Sequence, residues 1–122
     1  MPSHMNKHEG YVHAVNAVLR SQQTNHPHTR DLANAALRAT KRAIQSNSDE
    51  DHYDAHLLHS LAGNAQGDIE QRGRSQERPH HEAARKYHRE ASQWHLLQEG
   101  NLPKGRREAE SNESKIARAQ RE

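Results

Sequence analysis

Between residues 29 and 45 the chain reads TRDLANAALRATKRAIQ. At about 100° per residue, Leu32, Ala33, Ala36, Leu37, Ala39, Ala43 and Ile44 fall on one face, and Asp31, Asn34, Arg38, Lys41, Arg42 and Gln45 on the other. The spacing predicts an amphipathic helix with an alanine-rich inner seam and a basic outer face. The same periodicity predicts three more helices. One covers about 6–22, with Tyr11, Val12, Val15, Val18 and Leu19 inward. A second covers 49–66, with Leu57, Leu58, Leu61, Ala62 and Ala65 inward. The third covers 79–99, with Ala83, Ala84, Tyr87, Ala91, Trp94 and Leu97 inward. No stretch alternates as a strand would. The expected fold is all-α, with four amphipathic helices in a bundle or in paired helical hairpins.

Punctuation residues set the expected boundaries. Ser48 is suited to cap the third helix, with Asp49, Glu50 and Asp51 in its first turn. Gly63 and Gly67 suggest an end near residue 66, followed by a polar connector. Pro79 suits a first helical position, and Gly100 a position just past a helix end. Residues 6–99 then form a single helical domain. Residues 100–122 form a polar tail, helical or disordered, in which Ile116 is the one large apolar residue from Arg106 onward. The opening residues 1–5 contain Ser-His-Met, which reads as a cloning remnant and is set apart from the fold.

Composition thins this picture. Apolar residues make up 30 % of 122, and they include 16 Ala against nine Leu, three Val, three Ile, one Trp and no Phe. Alanine buries little area, and burial stabilises by about 25 cal/mol per Å². A second copy or a protein partner would add burial, so a homo-oligomer or a docked protein is expected. The absence of cysteine excludes disulfides and thiolate metal sites. No apolar run approaches a membrane span, so a cytoplasmic protein without a membrane partner is expected.

Histidine is the outlier, at twelve residues. His81, His88 and His95 recur every seven residues and fall at the border of the fourth helix's apolar face. There they would rim a pH-dependent interface, with Tyr87, Trp94, His88 and His95 as the partner-binding residues. His52, His56 and His59 share the face opposite Leu57 and Leu61. That face is expected to be exposed, and the i, i+4 spacing suits Zn²⁺ or another transition metal. Otherwise no cofactor is expected. Arg30, Arg38, Lys41 and Arg42 form a basic surface that could hold a nucleic acid through its phosphates. No phosphate loop and no nucleophile–base pair is evident, so the chain is expected to be a non-enzymatic interaction or structural protein.

The run His80-His-Glu-Ala-Ala-Arg-Lys-Tyr-His-Arg-Glu-Ala-Ser-Gln-Trp-His95 resembles His/Ala-rich helical stretches of small bacteriophage and bacterial proteins. That resemblance implies a bacterial host cytoplasm or a phage virion as the setting. It also implies a small accessory or structural role; the thin alanine-rich core, the Tyr87/Trp94 face and the polar tail add the expectation of a phage structural component or an inhibitor of a host protein. It carries no catalytic or ligand residues.

Overall fold

The computed structural model describes residues 7–72, 76–100, 102, 116, 117 and 120. Four helices follow one another: α1 (Lys7–Ser21), α2 (Pro27–Ser46), α3 (Asp49–Arg72) and α4 (Arg78–Gly100). Each packs on the next and α4 closes on α1, an up-down-up-down bundle. The expectations for residues 1–5, the middle of the α3–α4 connector and most of the tail lie outside the described residues. Ile116 is described, and it packs on a cluster formed by α2 and α3 that includes Ala35, Ala39 and Leu58.

Local chemistry explains the ends. His26 caps α2: its Nδ1 accepts from the Thr29 N–H at 3.3 Å, and Pro27 follows at the first helical position. The helix therefore starts two residues before the expected Thr29. Asn47 terminates it in the left-handed conformation, at φ 50, and its N–H donates to the Ala43 carbonyl. Ser48 caps α3 as expected, its Oγ accepting from the Asp51 N–H at 3.1 Å. The expected end of α3 near 66 is corrected, because the helix runs on to Arg72. Gly63 and Gly67 sit inside it and face α4. A Cβ on Gly67 would lie 3.1 Å from Arg85 Cδ, so the glycines serve helix approach rather than termination.

The inner faces differ from the expected ones in a consistent way. In α1 the buried positions are Gly10, Ala14, Ala17, Val18 and Ser21, while Tyr11 and Leu19 are exposed. In α3 they include His52, Ala55, Leu58, His59, Ala62 and Gln66, while Leu57 and Leu61 are only half-buried. In α4 they include His81, Ala84, His88, Ala91, Trp94 and His95, while Leu97 is 54 % exposed. Written as heptads, the two core positions of α3 are His52-Ala55, His59-Ala62 and then Gln66. Those of α4 are His81-Ala84, His88-Ala91 and His95-Gln98. Small residues at one position let the backbones approach, and imidazoles fill the space at the other. Among the described residues, the buried apolar side chains larger than alanine are Val18, Leu32, Leu58 and Trp94.

Trp94 fixes the contact of α4 with α1. A Cβ on Gly10 would stand 2.4 Å from Trp94 Cε3. The glycine that weakens the first turn of α1 is there to admit the indole. Gly10→Ala should lower stability by about 1–3 kcal/mol through overpacking, although alanine is the better helix former. Urea denaturation checks this. Trp94→Leu in the same chain should remove most of the Gly10→Ala penalty.

Candidate functional site: a histidine ladder in the core

α3 and α4 run antiparallel, so equivalent heptad positions meet. His52 faces His95, His59 faces His88, and Gln66 faces His81, in three layers about 10 Å apart at 1.5 Å rise per residue. The Nδ1 atoms of His52 and His95 are 2.9 Å apart, as are those of His59 and His88. Thr40 of α2 joins the two pairs, its Oγ1 lying 2.7 Å from His59 Nε2 and 2.8 Å from His95 Nε2. At the far end, His52 Nε2 lies 3.0 Å from the amide oxygen of Asn47. The third layer is separate: His81 Nδ1–H donates to Gln66 Oε1 at 2.6 Å, and Gln66 Nε2 donates to Ser21 Oγ at 2.7 Å. Polar links thus tie α3 and α4 to α2 in two layers and to α1 in the third.

These rings are enclosed. His52, His59, His81, His88 and His95 are each at most 1 % exposed. Burial favours the neutral form. It pushes His88 down to about 3. It takes His52 down to about 4, against the upward pull of Asp51 and Asp49. His59 is held well below the usual imidazole range by burial, and then by the neighbouring His88, His95, His13 and His56. His95 is held down by burial, then by His52 and His56. The rings also pack as aromatics. His59 stacks on His95 at 5.7 Å between centroids, and Trp94 meets His52 and His95 edge-on.

The expected positions of the histidines are therefore corrected. His88 and His95 are core residues, not the rim of a face, and Trp94 is enclosed with them at 3 % exposure; Tyr87 is half-buried. His52 and His59 point inward rather than to solvent, where their nitrogens meet His95, Asn47, His88 and Thr40. His56 lies apart from both, its Nδ1 3.0 Å from Glu99 Oε2. The proposed metal ligands His52, His56 and His59 do not converge on one point, and no group of three or more such side chains among the described residues could hold a metal ion. The wheel assigns the inside of α3 to the leucines, whereas His52 and His59 occupy it and His56 lies to one side, half-buried.

On α2, Arg30, Arg38 and Lys41 are exposed, whereas Arg42 is half-buried with its Nε 3.3 Å from Asp51 Oδ1. Three of the four expected cations thus face solvent, and the fourth is engaged at the α2–α3 turn. A groove of about 640 Å³ between α3 and α4 reaches the edge of His59, with Arg85, Arg89 and Asp68 on its walls.

The sequence reading missed Thr40, Asn47, Gln66 and Ser21. The available signal was positional. Thr40, Gln66 and Ser21 are small or polar residues at core positions of their helices, as are the histidines, and Asn47 is the residue that ends α2.

Fold and site together define a four-helix bundle with a hydrogen-bonded histidine core. No protein-family model, curated protein or solved structure matches the chain. No helix among the described residues is long and apolar enough to cross a membrane.

Proposed function

We propose that this chain is a non-enzymatic helical interaction protein whose contact face is closed at neutral pH and opened by acid. The observation that supports this reading is the enclosure of four mutually bonded imidazoles, with Trp94, at the meeting of the helices. Their ring nitrogens serve the core and are not presented to a substrate. A protonated ladder places like charges about 5 Å apart, on rings at 5.1 Å between centroids, and drives α4 away from α3. Tyr87, Trp94, His88 and His95 then become available to a protein partner or a second copy. The twelve histidines also raise the net charge from +2 toward +14 as they protonate, which selects an acidic partner surface.

Trp94 emission and light scattering, recorded together from pH 7.5 to pH 5, test the reading. A shielded indole in a monomer at neutral pH should give way to a solvated indole and to association on acidification. If emission and particle mass stay constant over that range, the reading fails.

A further inference from the structure

Hydrogen bonding fixes more than the charge of the ladder. A neutral imidazole has one N–H and one bare nitrogen, so each bond dictates the next. The amide oxygen of Asn47 accepts, which puts the proton of His52 on Nε2 and leaves its Nδ1 bare. His95 must then donate from Nδ1, and its Nε2 is bare. Thr40 donates its hydroxyl proton to His95 Nε2 and accepts from His59 Nε2–H. His59 Nδ1 is bare and accepts from His88 Nδ1–H. One atom is left over. His88 Nε2 is a bare lone pair, buried and without a partner among the described residues.

We propose that Thr40 and the four core imidazoles form a directional proton relay that takes up a proton at His88 Nε2 and delivers the positive charge to His52. Every other bare nitrogen of the ladder already faces a donor, so protonating one there would set two N–H groups, or an N–H and the Thr40 O–H, against each other. Only His88 Nε2 accepts a proton without breaking a bond. Once it does, His88 Nδ1–H passes to His59 Nδ1, and His59 Nε2–H passes to Thr40 Oγ1. The Thr40 proton passes to His95 Nε2, and His95 Nδ1–H passes to His52 Nδ1. One proton enters, four shift by one place, and the chain ends with reversed polarity and a doubly protonated His52.

The surroundings favour that destination. On α3, Asp49 and Asp51 flank His52 and draw positive charge toward it, with Arg42 of α2 tempering Asp51. On α1, His13 acts on His59 through its charge and has Glu90 at 3.1 Å and Glu9 at 3.8 Å. On α3, His56 acts on His59 and His95 through its charge, and its Nδ1 lies 3.0 Å from Glu99 Oε2 of α4. Charge in the middle of the ladder meets histidines, and charge at the His52 end meets carboxylates.

As a trigger the relay rests on the acid response proposed above; its tautomer pattern does not, because it is read on the closed bundle at neutral pH. Imidazole ¹⁵N–¹H correlation spectra decide it. The expected pattern is Nε2–H on His52 and His59, and Nδ1–H on His95 and His88. One tautomer shared by all four rings, or the reversed alternation, overturns the proposal. In the small fraction of folded chains that take up a proton as the pH is lowered toward the opening transition, the imidazolium signature should appear at His52 together with reversed tautomers at His95, His59 and His88. An imidazolium at His52 while the other three rings keep their tautomers overturns the relay. Thr40→Ser, which keeps the hydroxyl, should reproduce both patterns. A bundle that shows the alternating pattern but stays closed at pH 5 defeats the acid-gated function and leaves the relay standing.

Discussion

Acidification from pH 7 to pH 5 should remove half or more of the stability of the packed bundle. The sign follows from the buried imidazoles. His52, His59, His88 and His95 are all held below the ordinary value of 6.5 in the folded chain. Above that value both folded and unfolded forms keep them neutral, and the fold has its full stability. Below it the unfolded chain binds protons that the closed core refuses. Stability then falls with pH until the folded values, about 4 for His52 and about 3 for His88, are passed. Each such ring removes about 1.4 kcal/mol per pH unit, or about 2 kcal/mol at pH 5. Four together remove about 8 kcal/mol, against a total of about 5–15 kcal/mol for a domain of ordinary stability. Urea melts followed by far-UV circular dichroism at a series of pH values give the slope directly. Replacing His52 and His95 by glutamine should lower the slope by about 3 kcal/mol per pH unit, since two rings no longer titrate. A slope that stays the same in that variant would place the acid sensitivity outside the ladder.

The second large effect falls on a residue that carries no charge. Thr40→Val keeps the shape of the side chain and removes the one oxygen shared by His59 and His95. Two buried ring nitrogens then face a methyl group. Leaving a buried polar group unsatisfied costs about 1–3 kcal/mol, so the loss should be about 2–5 kcal/mol at neutral pH. Thr40→Ser, which retains the hydroxyl and loses a methyl, should cost about 1 kcal/mol. Equilibrium unfolding of the two variants beside the parent measures both. Equal losses would mean that the methyl, not the hydrogen bonds, matters at this position. The double variant Thr40→Val/His59→Leu should lose less than the sum of its parts, because the two groups share one bond.

Much of the fold is legible from periodicity. The four helices, the Ser48 cap and the alanine seam of α2 all follow from residue spacing and from the chemistry of helix ends. Leu32, Ala33, Ala36, Ala39 and Ala43 are buried as that spacing predicts. The faces of α1, α3 and α4 are harder to read, because large apolar residues are weak guides in this chain. Leu19, Leu96 and Leu97 are about half exposed, while His88 and His95 have no exposed surface. A leucine at the surface costs little, whereas a bundle seam built on alanine leaves no room for leucine at every turn. The seven-residue recurrence of His81, His88 and His95 was the clue, and the recurrence of Ala84 and Ala91 between them reads the same way.

What the sequence by itself determined is local: which segments are helical, where their caps lie, and that histidine and alanine share one heptad frame. Which side of that frame faces inward was decided by tertiary structure. A neutral imidazole is costly to bury alone and tolerable when both nitrogens are engaged. The groups that engage them stand on other helices or at the α2–α3 turn, Thr40 for His59 and His95, Asn47 for His52, and Gln66 with Ser21 for His81. Their partnership depends on antiparallel register across residues far apart in the chain. That register exists only once the four helices have packed.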